Sequence, residues 1–240
     1  TGYKVLYLRA DSNVGVQEAS AITTAGSERS ALIRGLSKWT PYQIWVLAFT
    51  HVGDGPRSDV IIVRTDEDVP GQPKRIKIEA INSTSALVQW RPPESEDSNG
   101  IIRGYQIHYV QVNDDEDPVG MPSMYDLMDG NRQETVITGL QPDTWYQFQV
   151  AAYTRKGDGA RSRPRKTKTK GAVPSEPRGL TLTLKEQDPP VVTITWQIPR
   201  NTFGDVRSYR LSYSIKGESR VEERPLQGNV YNYEARFLER

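Results

Sequence analysis

Hydrophobic and polar residues alternate along much of this chain, and the alternation returns at a fixed spacing. From Tyr146 to Ala152 every second residue is apolar or aromatic, which predicts a strand with one buried and one exposed face. A matching stretch begins 104 residues earlier, with Tyr42 in the place of Tyr146. Self-similarity at this spacing indicates tandem whole domains, because solenoid repeats are much shorter.

Two further strands recur with a similar spacing. A strand that begins with tyrosine occurs at Tyr3, Tyr105 and Tyr209. A strand that ends in tryptophan precedes the second and third copies, at Trp90 and Trp196, but it has no counterpart before Tyr3. The first copy therefore lacks a strand that the other two copies contain.

The repeat also predicts where the domains begin and end. The third copy stops at Leu238 in alignment with Leu140 of the second, so its corner tyrosine would lie beyond Arg240. Half a sandwich exposes its core strands and gains little to offset the entropy of ordering the chain. We therefore expect a piece of a longer protein with the C-terminal part of one domain in residues 1–67, a complete domain in residues 68–172, and the N-terminal part of a third in residues 173–240.

The connections between the units repeat as well. Residues 69–73 and 173–177 both read Val-Pro-x-x-Pro. Closely spaced prolines favour an extended and stiff backbone. The pattern predicts short, stiff joints and a rod of domains.

Short strand-like segments fill the middle unit, and no helical periodicity interrupts them. About seven strands in about 100 residues are typical of a Greek-key β-sandwich, so the predicted fold class is all-β with tandem immunoglobulin-like sandwiches. A tryptophan between the sheets and a corner tyrosine that hydrogen-bonds back to the chain are expected in this architecture. The predicted core residues are Trp90, Trp196, Tyr42, Tyr146, Leu36 and Leu140.

Four motifs occur together in the middle unit. They are Trp-x-Pro-Pro from Trp90, Tyr-x-Ile-x-Tyr from Tyr105, Leu-x-Pro-x-Thr-x-Tyr up to Tyr146, and Gly-x-Gly from Gly157. In combination they resemble fibronectin type III domains, and the resemblance extends over the whole chain. The first copy departs from the corner motif, because Lys38 is the counterpart of a proline in the middle copy.

A narrower resemblance runs from the first unit into the third. Several segments are similar to the ectodomain of LAR-type receptor protein tyrosine phosphatases, and they match best in the middle unit. These segments are Arg64–Pro70, Asn82–Thr84, Ile102–Val110, Gly120–Met128, Ala151–Pro164 and Gly171–Pro174.

This resemblance implies a parent protein with one membrane span and cytoplasmic phosphatase domains, which acts in cell adhesion, axon guidance and synapse organisation. It also implies that these residues lie on the extracellular side of the plasma membrane, hold ligand-binding domains away from it, and contact extracellular or cell-surface proteins. The family's active site needs a cysteine nucleophile, and the chain has no cysteine, so we expect no enzyme within these residues. The alternative is a fibronectin array of another adhesion receptor or of a muscle-type intracellular scaffold.

Composition narrows the classes of function. The 31 basic and 30 acidic side chains give a net charge of +1, which provides no general attraction to nucleic acid or to an anionic membrane surface. Without cysteine there is no disulfide and no thiolate zinc site within these residues. No apolar run is long enough to cross a bilayer, and we expect no cofactor and no membrane contact.

Side chains that could support catalysis or metal binding are scattered. The two histidines, His51 and His108, have no nucleophile or metal ligand at motif spacing, so we expect them to be structural or incidental. The acidic clusters at residues 94–97 and 114–117 lack the spacing of a calcium loop. They are expected to be solvated loops, and no catalytic or metal site is predicted.

Basic residues are concentrated between positions 155 and 170. Lysines on the last strand of the middle unit would discourage unwanted strand pairing. The alternative is contact with a sulfated glycosaminoglycan such as heparan sulfate, although the alternation changes phase after Arg165, so the arginines and lysines need not share a face. The residues predicted for this contact are Arg163, Arg165, Lys166, Lys168 and Lys170.

Two other segments are expected outside the core. Asn82 begins an Asn-Ser-Thr sequon, which predicts an exposed glycan in a turn. Residues 119–132 contain all three methionines and are expected to lengthen the connection after the Tyr105 strand. Because methionine suits adaptable surfaces, this segment is expected either to pack onto the sheet or a neighbouring domain, or to present a partner surface.

Overall fold

The computed structural model describes residues 1–13, 15–187, 190–214, 216 and 219–236. In this part of the chain the regular structure consists of β-strands and two short 3-10 turns, Val16–Glu18 and Ser95–Asp97. The all-β prediction is confirmed. Leu238, which was aligned with Leu140, lies outside the described residues, and the exact domain boundaries at residues 67 and 172 remain predictions.

The middle unit is a sandwich of two antiparallel sheets. One sheet has the order β10-β7-β6, and the other has the order β12-β11-β8-β9, with β13 also pairing with β11. The strands are β6 (Lys74–Ala80), β7 (Ser85–Arg91), β8 (Gly104–Val112), β9 (Pro118–Leu127), β10 (Glu134–Thr138), β11 (Trp145–Thr154), β12 (Gly157–Asp158) and β13 (Arg165–Lys168).

Alternate residues of β7, β8 and β11 point between these sheets. Trp90 is 2% exposed, and its ring centroid lies 5.0 Å from that of Tyr105. Because successive side chains of a strand point to opposite faces, every second residue reaches the core. The buried cluster around Trp90 contains Ala86, Val88, Tyr105, Ile107, Ile137, Leu140, Tyr146, Phe148, Val150 and Ala152.

The described residues of the first unit form a single sheet in the order β2-β1-β3-β4, with β5 also pairing with β3. Leu36, predicted as a core residue, is only partly buried, and that prediction is wrong. The matching Leu140 is 4% exposed, and its backbone N–H donates to Thr84 O in the turn between β6 and β7. Within its described residues, the first unit has no turn that corresponds to the one between β6 and β7, so Leu36 lacks this partner. The strands are β1 (Gly2–Arg9), β2 (Ser20–Ala25), β3 (Pro41–Phe49), β4 (Asp54–Arg57) and β5 (Ile61–Arg64).

The two faces of the first sheet are buried to different extents. Ile44 and Val46, on the face that would form the sandwich core, are only partly buried and line a depression of about 440 Å³. On the opposite face, Trp45 and Leu47 are 4% and 7% exposed, and the guanidinium of Arg57 lies 5.6 Å from the centre of the Trp45 ring. The sequence pattern did not predict this second, outward cluster.

Where the structure describes the third unit, it forms two small sheets, in the orders β14-β15-β18 and β16-β17. Trp196 is 7% exposed and packs against Tyr209, with ring centroids 5.6 Å apart. Its surroundings reproduce the contact between Trp90 and Tyr105 in the middle unit. The strands are β14 (Arg178–Gln187), β15 (Pro190–Gln197), β16 (Ser208–Ser214), β17 (Val221–Gln227) and β18 (Asn232–Arg236).

Candidate functional site

The corner tyrosines of the first two units have the same geometry. The backbone N–H of Gln141 donates to Tyr146 Oη over 3.0 Å, and the N–H of Ser37 donates to Tyr42 Oη over 2.9 Å. Both tyrosines are buried, at 7% and 6% exposure. In each unit the donor is the residue before the position that differs, which is Lys38 in the first unit and a proline in the middle unit. The difference between lysine and proline therefore leaves the hydrogen bond intact.

The first joint is bound closely to the end of the middle unit. The backbone N–H of Asp68 donates to Asn99 O over 2.8 Å, and that of Gly71 donates to Asp97 O over 2.7 Å. The hydroxyl of Thr154, at the end of β11, donates to Asp68 O over 2.9 Å. The joint is therefore held by the loop that contains Asp97 and Asn99 and by the end of β11.

Acidic side chains strengthen this attachment. The carboxylate of Glu67 is 1% exposed; it lies 3.0 Å from Arg155 Nε and accepts a hydrogen bond of 3.2 Å from the N–H of Ile101. Asp66 pairs with Arg155 and, at 2.7 Å, with Lys156. Hydrogen bonds from Lys156, from the backbone N–H of Glu67 and from Arg155 lower the pKa of Asp66 to about 2.

The first unit contacts the same short segment. The backbone N–H of Trp39 donates to Asp66 O over 3.1 Å. Lys38 forms an ion pair with Asp68, and this lysine, together with the N–H of Val69, lowers the pKa of the Asp68 carboxyl. Contacts from both units thus meet on residues 66–68.

The second joint repeats the backbone contacts without the acidic side chains. The N–H of Ala172 donates to Phe203 O over 3.2 Å, and that of Ser175 donates to Asn201 O over 2.9 Å. These pairs lie 104 positions after Asp68–Asn99 and Gly71–Asp97. Residues 170–172 are Lys, Gly and Ala, however, so the charged contacts of the first joint have no counterpart here.

The structure separates the basic residues predicted for glycosaminoglycan contact. Lys166 pairs with Glu116, and Lys168 pairs with Asp143 at 2.9 Å. The side chain of Lys170 is exposed. Two of the three lysines therefore already have acidic partners.

Arg163 and Arg165 lie in different surroundings. They line a depression of about 250 Å³ together with Lys74 and Arg75, which are the first two residues of β6. Lys74 and Arg75 were not predicted as part of a basic surface, because they precede the arginines by about 90 positions and nothing in the local pattern connects them.

The described residues contain neither a cluster of metal ligands nor a helix with the length and apolar character needed to cross a membrane. His51 is exposed in the turn after β3. His108 is partly buried on β8, and its burial and the nearby charge of Arg161 lower its pKa. Of the acidic clusters, one forms the turn Ser95–Asp97 and the other lies between β8 and β9.

The sequon lies in the turn between β6 and β7. Asn82 is exposed, and its Oδ1 accepts a hydrogen bond of 2.8 Å from the N–H of Thr84. The side-chain amide nitrogen has no hydrogen-bond partner among the described residues. It is therefore accessible for modification, and glycosylation stays a prediction.

The methionine-rich segment is a strand and not a lengthened connection. Residues 118–127 form β9, which pairs with β8 at the edge of the sheet. Met121, Met124 and Met128 are 93%, 54% and 84% exposed. The expectation that this segment packs onto a sheet or a neighbouring domain is therefore wrong, whereas a partner surface stays a prediction.

Comparison with known proteins agrees with this architecture. The family model that matches is "Fibronectin type III domain", over residues 1–64 and 71–168. Tyrosine-protein phosphatase Lar of Drosophila melanogaster is 45% identical over 223 residues, which are 92% of this chain and 11% of the relative. Receptor-type tyrosine-protein phosphatase F of Bos taurus is 41% identical over 222 residues, again 92% of this chain and 11% of the relative.

A solved structure has the same fold. The crystal structure of the chicken CNTN1 FN1-FN3 domains superposes with a TM-score of 0.52 at 18% identity, and covers 98% of this chain and 78% of that one. The predicted similarity to LAR-type receptor phosphatases is confirmed by the two phosphatase relatives, although the chain spans only 11% of their length.

Proposed function

Because the chain belongs to the fibronectin type III family, we propose that it is an extracellular spacer and adhesion segment of a LAR-type receptor tyrosine phosphatase. The residues matched by the family model are fibronectin type III domains and not a phosphatase catalytic domain. The two phosphatase relatives support the choice of parent protein, because each is similar over 92% of this chain.

The first joint carries the spacer proposal. Glu67 is buried against Arg155, and Lys38 of the first unit pairs with Asp68, so bending at this joint would break contacts on both sides. Removing one partner of a buried ion pair leaves an uncompensated charge, which is costly. A stiff joint lets a row of domains hold a ligand-binding unit at a set distance from the membrane, and leaves the domain surfaces free for lateral contacts.

Distance measurements by electron paramagnetic resonance test this stiffness. The chain has no cysteine, so Val52→Cys and Met121→Cys place spin labels at exposed sites, 85% and 93% accessible, on either side of the first joint. We expect a narrow distance distribution, which broadens when Arg155 and Lys156 are both replaced by Gln. Replacing Lys166 and Lys168 by Gln removes the same charge away from the joint and should leave the distribution unchanged.

A broad distribution in the parent chain would contradict the spacer proposal. Labels at Met121→Cys and Val221→Cys span the second joint, which lacks the acidic contacts. We expect their distance distribution to be wider than that across the first joint.

For the whole protein, we propose dephosphorylation of phosphotyrosine in cell adhesion, axon guidance and synapse organisation. Its partners would be extracellular or cell-surface proteins, and heparan sulfate is a further candidate because of the basic residues around Arg163. Antibody labelling of intact, non-permeabilised cells tests the extracellular location. Labelling only after permeabilisation would favour an intracellular fibronectin array instead.

A further inference from the structure

We propose that Lys74, Arg75, Arg163 and Arg165 form a binding site for a linear sulfated polysaccharide. This basic site lies where β13 runs beside β6 at the edge of the middle sandwich. The inference rests on the proposed extracellular location, where such polymers occur. It keeps Arg163 and Arg165 from the residues predicted from the sequence, and it adds Lys74 and Arg75 in place of the lysines at positions 166, 168 and 170.

The charge of the basic site is uncompensated. None of its four side chains has an acidic partner within the described part of the chain, and the remaining residues that line the depression are Gln72, Pro73 and Ile76. Guanidinium groups bind tetrahedral anions through paired N–H donors, and they are more weakly hydrated than ammonium groups. Three arginines around one depression therefore suit sulfate groups.

Backbone conformation at Arg75 provides an independent argument. The register of β6 against β7 shifts by one residue between Lys74 and Lys77, and Arg75 lies in this bulge with a φ of 51°. A non-glycine residue is strained in this left-handed region. The third unit contains the same bulge 104 positions later, and there the residue is Gly179, with a φ of 59°.

The fold thus accepts glycine at this bulge, and arginine there adds strain. Within the described residues the Arg75 side chain forms no hydrogen bond or ion pair that would offset the strain. Bulges redirect side chains, and strained residues concentrate at binding sites. An arginine in this strained position, lining one depression with three other cations, points to an anion from outside the chain.

The basic site continues onto the face of the neighbouring sheet. Arg75 also lines a second depression, of about 290 Å³, with Arg91 and with Lys77, which pairs with Glu79 at 3.6 Å. The carboxylate of Glu134 lies in this depression too, where it accepts a hydrogen bond from Gln89. Arg75 and Arg91 thus extend the cationic surface beyond the first depression, and two adjacent depressions that share one arginine fit an elongated polymer better than a single small anion.

Heparin affinity chromatography of the 240-residue chain tests the proposal. We expect the parent chain to be retained at low salt, and Arg163→Gln combined with Arg165→Gln to elute at a clearly lower NaCl concentration, because screened charge contacts supply the affinity. The matched control is Lys166→Gln combined with Lys168→Gln, which removes the same charge from ion-paired lysines and should elute close to the parent. Failure of the parent to bind, or equal losses in both double variants, would overturn the proposal.

Arg75→Gly separates binding from folding. We expect it to weaken heparin retention while the melting temperature stays the same or rises, because glycine removes the strain at the bulge. Unchanged retention, or a lower melting temperature, would contradict the role given to Arg75.

Two further columns identify the ligand. Weaker retention on desulfated heparin supports recognition of sulfate, whereas equal retention on immobilised polyglutamate would overturn the polysaccharide assignment in favour of an acidic protein segment. None of these results depends on the stiffness of the first joint, so the site and the spacer proposal can fail separately.

Discussion

Replacement of Trp90 by alanine tests the core of the middle unit. The side chain is 2% exposed and its ring lies 5.0 Å from that of Tyr105, so the substitution leaves a cavity between the sheets. Truncation of a buried tryptophan costs about 3–5 kcal/mol. Because small domains are stable by only about 5–15 kcal/mol, we expect Trp90→Ala to unfold the middle unit near about 37 °C if its stability is at the lower end of that range.

Amide hydrogen exchange with mass spectrometry reads the middle unit separately from its neighbours. A loss of about 3–5 kcal/mol corresponds to exchange that is roughly 100- to 4,000-fold faster, since about 1.4 kcal/mol is a factor of ten. The acceleration should affect β7, β8 and β11, and leave β1 and β3 of the first unit unchanged.

The matched control is Trp145→Ala. Trp145 lies in the same unit, on β11, but it is 40% exposed. Surface substitutions usually change stability by no more than about 0.5 kcal/mol, so exchange should stay close to that of the parent chain. Unchanged exchange in Trp90→Ala, or equal acceleration in both variants, would refute the central position given to Trp90.

Three further predictions follow from individual contacts. Ser162→Ala should destabilise the middle unit by about 1–3 kcal/mol, because the buried N–H of Val150 loses its hydrogen-bond acceptor, Ser162 Oγ at 3.0 Å. The matching hydrogen bond in the first unit, from the N–H of Val46 to Ser58 Oγ, is exposed, so Ser58→Ala should cost less than about 1 kcal/mol. Equal effects of the two substitutions on hydrogen exchange in β11 and β3 would contradict this prediction. Asp66 should titrate near pH 2 by carbon NMR and not near its usual 3.8. Because the pKa of Asp66 is lower in the folded chain than in the unfolded chain, its contribution to the stability of the fold is complete above about pH 4 and is lost as the pH falls through about 2. A titration midpoint near 3.8 would mean that the ion pairs of Asp66 do not form. Expression in a secretory host should add a glycan that a glycosidase removes and that Asn82→Gln abolishes, and a protein without this mass shift would count against glycosylation.

The strands and corners could be predicted because their signals are local. Period-two alternation follows directly from the geometry of a strand, so the pattern of residues alone assigns Phe148 and Val150 to the buried face. The repeat at 104 residues supplied a second copy of the corner, at Tyr42, although Lys38 departs from the motif. Both tyrosines form the expected hydrogen bond.

The burial of individual side chains in the first unit could not be predicted in the same way. Leu36 has the sequence surroundings of Leu140, yet it is only partly buried, because burial depends on an opposing element and not on the strand itself. Trp45 shows the converse. Its position in the alternation indicates an outward side chain, yet neighbours on that face bury it to 4% exposure.

The sequence by itself determined the strands, the repeat and the fibronectin type III architecture, because each depends on residues that are close in the chain or equivalent between copies. Only the tertiary structure decided which charges are neutralised. Lys166 forms an ion pair with Glu116, and Glu67 forms one with Arg155. Arg163 and Arg165 instead line a depression with two other basic residues, Lys74 and Arg75. The physical reason is that electrostatic interaction depends on the separation and the burial of side chains, and folding sets both for residues that are far apart in the sequence.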